Sequence, residues 1–378
     1  MNLVRKGQQL IGQRCLHQAY VVFPKIRAQE QEKQSLYLTK TVLCDNKVLQ
    51  KKDKVLLLHK KEDLINTIKR NIIEVNYFHR DEELKLKKRA KERTRLAKLL
   101  EYKEQFSLQI LLSMMKAVWN SKSAREAGFL NKSLNYRPDL AAPWERLGKK
   151  IQVTGKHGHL ISGKTPLPLF ADEQEVANTK TEDVIWDDII SPFFDLHPYQ
   201  CIFEPDSGFL PGAPYPCPQT LLITNPWRWK SRMNSGQGVF YSFAHALNHA
   251  LNQGAKMGQD LEKPVVMQCV IFNGTSFWFV RYQLNTLNFS EENKGIKNMA
   301  WIVSEEKLYH QVTDKASTSE DFITYTSERA SLTDFDRKVL SNTFKNEQTR
   351  NVSIEEFNPN AVKLFIDFLF YPYTVENK

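Results

Sequence analysis

Glycine and proline are distributed very unevenly along this chain. From Lys25 to Ala127 there is neither residue, whereas thirteen of the fifteen glycines and fifteen of the sixteen prolines lie beyond residue 127. A stretch without these residues favours long regular elements, and a stretch rich in them favours short strands, turns and loops. We therefore predict two regions: residues 1–127, basic and mainly helical with one or two strands, and residues 128–378, an α+β domain.

Local patterns predict the elements of the first region. The β-rich alternation at 36–43 predicts a strand. Apolar residues on one face predict a helix over about 62–75, and Asp81 is a suitable N-cap for a second helix that runs to Trp119. The later part of this second helix has a predicted buried stripe at steps of three and four, formed by Leu99, Tyr102, Phe106, Ile110 and Met114.

The second region carries a clear hairpin pattern. Residues 265–272 and 275–284 are nearly continuously apolar and flank Asn273-Gly274, the pair that a type I′ turn prefers. Such strands are expected inside a sheet that is covered on both faces. A final helix is predicted over about 360–370, and the prolines of 205–226 predict an ordered extended loop. The predicted fold class is α+β: a basic, mainly helical N-terminal part and a C-terminal mixed sheet with flanking helices.

Composition excludes several classes of protein. Hydrophobic residues make up 41% of the 378 residues and charged residues 25%, which is globular rather than disordered. No apolar run reaches the roughly 18 residues of a membrane-spanning helix, so a soluble protein is expected. The five cysteines form no CxxC pair, so we expect free thiols in a reducing compartment and neither a metal site nor a cofactor.

Charge is as unevenly distributed as glycine. Residues 1–150 hold 33 of the 53 lysines and arginines and 16 of the 43 acids, a net charge of +17, and the remainder carries −7. This asymmetry indicates that the N-terminal region contacts a polyanion, although a solvated lysine-rich surface has the same composition. The first acid is Glu30, and the acid-free, amphipathic start of the chain is typical of a mitochondrial presequence.

Two segments are candidate RNA-binding sites. Residues 84–98 carry a local charge of +7, and on a helix these cations repel one another unless a phosphate backbone lies alongside. Residues 227–232 interleave tryptophan with cations, a mixture that stacks on unpaired bases and neutralises phosphate. The candidate residues are Lys85, Lys87, Lys88, Arg89, Lys91, Arg93, Arg95, Lys98, Trp227, Arg228, Trp229, Lys230 and Arg232.

An alternative function is a nucleotide- or metal-dependent hydrolase. Residues 158–165 match the P-loop pattern around Lys164, but Pro166 and Pro168 block the helix that must follow, so a turn between strands is the competing interpretation. His245 and His249 share one helical face, but Ala246 stands where a zincin needs its glutamate, so exposed histidines are expected instead. The triad residue types at Ser191, Asp195 and His197 are too close in sequence to indicate a catalytic triad.

Several blocks, taken in order, carry a family resemblance. They are Leu36–Thr41, Ile190–His197, Asp206–Phe209 with Pro214–Leu221, and finally Leu261–Gln268, Tyr282–Thr286 and Gly295–Trp301. In this order they resemble the family of the mitochondrial large-ribosomal-subunit protein thirty-seven. A sister subunit with related blocks is a further alternative, although Tyr282–Thr286 and Gly295–Trp301 favour the first family.

The resemblance implies a structural ribosomal protein with no reaction of its own. It implies contacts with the large-subunit rRNA of mitochondria and with other mitochondrial ribosomal proteins, including a related paralogue. It also implies import into the mitochondrial matrix, and it supplies no catalytic residues.

Overall fold

The computed structural model describes residues 28–45, 61–89, 92–126, 129–146, 148–184, 205–209, 212–225, 231–289, 294–309, 311–316 and 350–371. The helices are α1 (Ala28–Leu38), α2 (Lys61–Arg89), α3 (Glu92–Trp119), α4 (Lys122–Glu126), α5 (Glu173–Asn178), α6 (Ser231–Asn252) and α7 (Pro359–Phe370). The strands are β1 (Thr41–Leu43), β2 (Ser133–Tyr136), β3 (Asp139–Arg146), β4 (Lys149–Lys156), β5 (His159–Gly163), β6 (Cys217–Thr224), β7 (Asp260–Phe272), β8 (Ser276–Thr286), β9 (Asn298–Lys307), β10 (Gln311–Ala316) and β11 (Arg350–Glu355).

The main sheet has seven strands in the order β1-β9-β8-β7-β6-β5-β2. The β1–β9 and β6–β7 pairs are parallel and the other four pairs are antiparallel, so the sheet is mixed, as predicted. Two-stranded sheets, β3–β4 and β10–β11, accompany it. The predicted α+β class is confirmed.

Alternate residues of the central strands face two separate cores. Leu221, Cys269 and Val280 lie in the core under α6, and their neighbours Leu222 and Val270 lie in the core on the opposite face. All eleven residues of β8 are buried, because helices cover both faces. The apolar runs of the hairpin therefore predicted its position in the sheet correctly.

Helix α6 is buried on most of its circumference. It packs on β7 and β8, while α1 and β3 cover its other sides. Gly238 allows close contact with the sheet, because a Cβ at this position would lie 2.6 Å from Cγ2 of Val280. This helix is consequently an interior element rather than a surface helix with one polar face.

The opposite face of the sheet is covered by α2, α3 and α7. These helices bury their apolar faces against β6, β7 and β8 through Ile65, Ile68, Ile72, Ile110, Leu111, Met114, Met115, Val118, Val362, Phe365, Ile366 and Leu369. The final helix is confirmed, with Asn358 as its N-cap and Pro359 in the first turn. The N-terminal helices thus share a core with the C-terminal sheet, and the proposed division at residue 127 stays a prediction.

Three expected elements were wrong. Residues 36–38 end helix α1, and only Thr41–Leu43 form a strand, because the polar side chains at 34 and 35 are buried against α6. Asp81 caps no helix, since α2 continues through it to Arg89 and α3 begins at Glu92. Within the predicted extended loop of 205–226, Leu221 and Leu222 belong instead to the buried strand β6.

The hairpin is confirmed, but its turn is not type I′. Phe272 pairs with Phe277, and Asn273 does not have the positive φ that this turn needs. Instead, Oδ1 of Asn273 accepts hydrogen bonds from the backbone N–H groups of Thr275 (2.9 Å) and Ser276 (2.8 Å). The side chain therefore closes the loop in place of the tighter backbone turn.

Two smaller expectations concern thiols and membranes. Cys44, Cys217 and Cys269 are free thiols, and the last two are buried. Cys15 and Cys201 lie outside the described residues. None of the helices that the structure describes is both long and apolar enough to cross a membrane.

Candidate RNA interface and the polar network of the sheet

Helices α2 and α3 pack together as a long helical hairpin. Among the side chains of these helices that the structure describes, the buried ones lie at 65–76 in α2 and at 107–118 in α3. Helix α2 ends at Arg89 and α3 begins at Glu92, so the chain reverses direction between these two residues. At 1.5 Å per residue, the end of α2 lies about 20 Å from Asn76 along the helix axis. The basic segment, residues 84–98, spans this reversal on both helices.

The side chains of this segment lie outside the described residues. Those of Lys85, Lys87, Lys88, Arg89, Arg93, Arg95 and Lys98 belong to backbone that is helical, and Lys91 itself lies outside the described residues. The placement changes one expectation: the cations are shared between two helices instead of surrounding a single one. Their role in binding RNA stays a prediction.

The second candidate segment is described only at its end. Trp227, Arg228, Trp229 and Lys230 lie outside the described residues. Arg232 is exposed in the first turn of α6. It is close enough to Glu32 to affect its titration: burial raises the pKa of Glu32, while a hydrogen bond from Ser235 and the charge of Arg232 oppose that rise. Arg232 therefore interacts electrostatically with Glu32 of α1 and is also exposed to solvent.

The apparent P-loop is part of the sheet. Residues 159–163 form strand β5 between β2 and β6, so the expected turn between strands was wrong. Gly158 has a φ of 56°, and a Cβ there would overlap the carbonyl oxygen of Leu222. No helix follows Lys164 until Glu173, which confirms that the prolines block it. The glycine thus serves close strand packing, and a phosphate cradle is not formed.

The histidine pair of α6 is buried, and the expectation of exposed histidines was wrong. His245 has 2% of its surface exposed and His249 has 8%, because β3, β4 and α1 cover the side of α6 that was expected to face solvent. Nε2 of His249 lies 2.9 Å from Nε2 of Gln253. Among the described residues, no group of three or more histidine, cysteine or acidic side chains is arranged to hold a metal ion.

His157 joins His245 in the same interior region. Nδ1 of His157 lies 3.2 Å from the hydroxyl of Tyr241, and its Nε2 lies 3.0 Å from the carbonyl oxygen of Thr154. Burial lowers the pKa of His157 to about 4 and that of His245 to about 3. Both rings are therefore neutral at pH 7, in a packing role.

Acid should destabilise the protein through these two rings. Because their pKa values in the folded chain lie below the ordinary value of 6.5, the unfolded chain binds protons that the folded chain does not. Stability is therefore complete above pH 6.5 and falls as the pH decreases towards the folded values, by about 2 kcal/mol per ring at pH 5. The substitution His245→Phe should remove about half of this loss in denaturant titrations at pH 7 and pH 5. An equal pH dependence in both proteins would contradict this origin.

A buried polar network ties β1 to β8 and β9. Asn298 is fully buried, and its Oδ1 accepts hydrogen bonds from the backbone N–H groups of Asn285 (2.8 Å) and Thr286 (2.9 Å). Its Nδ2 donates to the carbonyl oxygen of Thr39 (2.9 Å). The hydroxyls of Thr41 and Tyr282 lie 2.8 Å apart. This network satisfies backbone groups where the N-terminal strand joins the sheet.

Buried cations complete the same region. Nζ of Lys40 donates to the carbonyl oxygens of Asn288 and Lys294, each at 2.8 Å. Nζ of Lys297 donates to the carbonyl oxygen of Thr179 at 2.8 Å. These lysines bind backbone oxygens inside the fold, so their charges stabilise it and are not surface charges for RNA.

Arg281 is a third buried cation. Its guanidinium lies 4.4 Å from the ring centroid of Tyr371 and 5.3 Å from that of Phe170. Burial lowers its pKa to about 10, so the group is still charged at pH 7. The contacts are those of a cation packed among aromatic rings.

The polar network connects sequence blocks that are far apart in the chain. Leu36–Thr41, Tyr282–Thr286 and Gly295–Trp301 are distant in sequence but meet at one end of the sheet. The order of the blocks in the sequence does not predict these contacts. The available signal was the polar residues 283, 285, 297 and 298 within otherwise apolar strands, a pattern typical of buried hydrogen-bonding groups.

Comparison with known proteins identifies relatives with a ribosomal role. Residues 230–371 match the family described as Mitochondrial 28S ribosomal protein S30 (PDCD9), a range that contains the blocks from 261 to 301. Large ribosomal subunit protein mL37 of Gallus gallus is 35% identical over 181 residues, which is 46% of this chain and 42% of that protein. The protein of the same name from Bos taurus is 35% identical over 178 residues, 45% of this chain and 41% of that protein.

The chain is similar to mitochondrial ribosomal proteins. The resemblance stated from the sequence blocks is thereby confirmed. The matches span less than half of the length of these relatives. The names of these relatives and the description of the matching family are those of ribosomal proteins.

Proposed function

We propose that this chain is a structural constituent of the mitochondrial large ribosomal subunit in the matrix, where it supports translation without catalysing a reaction. The observation that carries the proposal is the similarity to proteins named as large-subunit components. The fold agrees with such a role, because the buried polar side chains of the network form hydrogen bonds with the backbone of the chain itself. Asn298 and Lys297 in particular are fully buried and stabilise the sheet.

We propose further that the basic segment, residues 84–98, binds large-subunit rRNA. It holds eight cations and one acid, and it spans the end of α2 at Arg89 and the start of α3 at Glu92. Cations brought together by two neighbouring helices can neutralise several phosphates of an RNA backbone. Residues 227–232 are a second, weaker candidate for the same role. Further partners are neighbouring ribosomal proteins, including a related paralogue.

One observation favours a second candidate, a sister protein of the small subunit. The family matched by residues 230–371 is described as a 28S ribosomal protein, whereas the named relatives belong to the large subunit. The large subunit is favoured because the identity to the large-subunit proteins extends over 181 residues.

Affinity capture distinguishes these candidates. A tagged chain expressed in cells of its own organism should recover large-subunit mitochondrial rRNA in clear excess over small-subunit rRNA, once the subunits have been separated in low magnesium. Excess small-subunit rRNA would favour the sister protein instead. Recovery of neither RNA would contradict both candidates.

A further inference from the structure

Strand β2 presents two large apolar side chains at the outer edge of the main sheet. Leu134 is 36% exposed and Tyr136 is 63% exposed. They pair with Ile161 and His159 of β5, so they lie on the sheet face that α2 and α3 cover elsewhere.

A cation is held directly over the exposed ring. The guanidinium of Arg137 lies 5.6 Å from the ring centroid of Tyr136. The backbone of Arg137 has a φ of 43°, which is uncommon for a residue with a side chain, and its N–H donates to the carbonyl oxygen of Gly158 at 2.9 Å. His159 meets Tyr136 edge-on, with ring centroids 4.9 Å apart. The ring is thus positioned by its neighbours.

The same arginine connects this edge to the basic hairpin. Nη2 of Arg137 lies 3.0 Å from Oε1 of Glu104 on α3. Lys98, the last cation of the basic segment, is six residues earlier on that helix, about 9 Å along its axis. An RNA strand on the basic segment therefore has only a short distance to reach Tyr136.

We propose that Tyr136 and Arg137 bind one unpaired nucleotide of rRNA, with the base stacked on the tyrosine ring and a phosphate oxygen accepting a hydrogen bond from the guanidinium. The ion pair with Glu104 engages one terminal nitrogen of Arg137, and a guanidinium has five N–H donors. An aromatic ring beside a cation is the usual arrangement for stacking single-stranded bases. The charge of the adjacent basic segment favours RNA over an added protein strand. This inference rests on the proposed function.

The test compares single-stranded and duplex RNA. The purified full chain is titrated with a poly(U) strand of about 12 nucleotides and with a duplex of equal length. Tyr136→Ala should weaken binding of poly(U) roughly tenfold and leave duplex binding unchanged, because stacking needs an unpaired base. Tyr136→Trp should restore binding, since the larger ring also stacks.

Tyr215 supplies a matched control. Its ring also lies under a cation, with Nζ of Lys164 5.8 Å from the centroid, but it is near the far end of β5 from Tyr136. Tyr215→Ala should bind poly(U) as the unchanged chain does. Equal loss in both variants would overturn the proposal, because it would show a general effect of removing a tyrosine.

The outcomes separate this inference from the proposed function. If the unchanged chain binds poly(U) and Tyr136→Ala binds equally well, the nucleotide site is wrong while RNA binding stands. If Tyr136→Ala instead loses a neighbouring protein from captured ribosomal particles and keeps its affinity for poly(U), the edge binds protein and the inference is overturned. If the unchanged chain binds neither RNA, both proposals fail.

Discussion

Replacing Lys87, Lys88, Lys91 and Arg95 with glutamine should weaken RNA binding about a thousandfold at 0.1 M salt, if all four contact phosphate. Each contact releases counterions, so the slope of log affinity against log salt should become shallower by about 0.7–0.9 for each lost contact, or roughly 3 in total. Helix stability should change little, because glutamine has nearly the helix propensity of lysine and arginine. Titration of rRNA fragments at several salt concentrations measures both quantities.

The matched control removes the same charge elsewhere. Lys256, Lys263, Lys307 and Lys363 are exposed in the C-terminal region, and their replacement by glutamine also lowers the net charge by four. If the basic segment binds RNA locally, this control should keep nearly the full salt slope. Equal effects from both sets would indicate a response to total charge, and no effect from the first set would show that the segment faces solvent or protein.

The substitution Asn298→Leu should destabilise the fold by about 3–5 kcal/mol, since it removes three hydrogen bonds to buried backbone groups. The N–H groups of Asn285 and Thr286 lose the bonds to Oδ1 of Asn298, and the carbonyl oxygen of Thr39 keeps only its bond from the Thr41 hydroxyl. Leucine branches like asparagine and is not smaller, so the effect should come from lost hydrogen bonding rather than from a cavity. Urea unfolding followed by tryptophan fluorescence measures the change.

Asn360→Leu is the comparison for this substitution. Its side chain is exposed in the first turn of α7, so the same chemical change should alter stability by less than about 0.5 kcal/mol. A loss below 1 kcal/mol for Asn298→Leu would mean that the backbone groups find other partners, and the network would then not anchor β1 to the sheet.

Continuous apolar runs predicted the fold well where they extend through the sheet. Residues 265–272 and 275–284 have no polar face, and this required a covered central hairpin, which the structure contains. Its turn could not be predicted from the Asn-Gly pair, because the side chain of Asn273 offers a competing set of hydrogen bonds. The global position was therefore more predictable than the local geometry.

Errors arose where distant contacts overrode a local pattern. The alternation at 36–43 is that of a strand, but α1 uses residues 34–38 to pack on α6. His245 falls on the less apolar side of α6, and it is buried by covering elements that include β3 and α1. Neither β3 nor α1 is adjacent to α6 in the sequence. The spacing of apolar residues within α6 therefore cannot show which of its sides these elements cover.

The candidate RNA-binding residues could likewise be predicted only in part. Charge alone located residues 84–98 in the sequence. The end of α2 at Arg89 and the start of α3 at Glu92 distribute this segment over two helices, which the assumption of one helix from Asp81 could not predict. Tyr136 was missed altogether, because a single tyrosine in a four-residue strand has no distinguishing pattern. Its contact with Arg137 and its 63% exposure depend on the tertiary structure.

Sedimentation of a mitochondrial lysate on a sucrose gradient tests the central claim most directly. With intact ribosomes the chain should move with the monosome, and after dissociation in low magnesium it should remain with the large subunit and its rRNA. Recovery only in the light fractions under intact-ribosome conditions, or movement with the small subunit after dissociation, would contradict the proposed function.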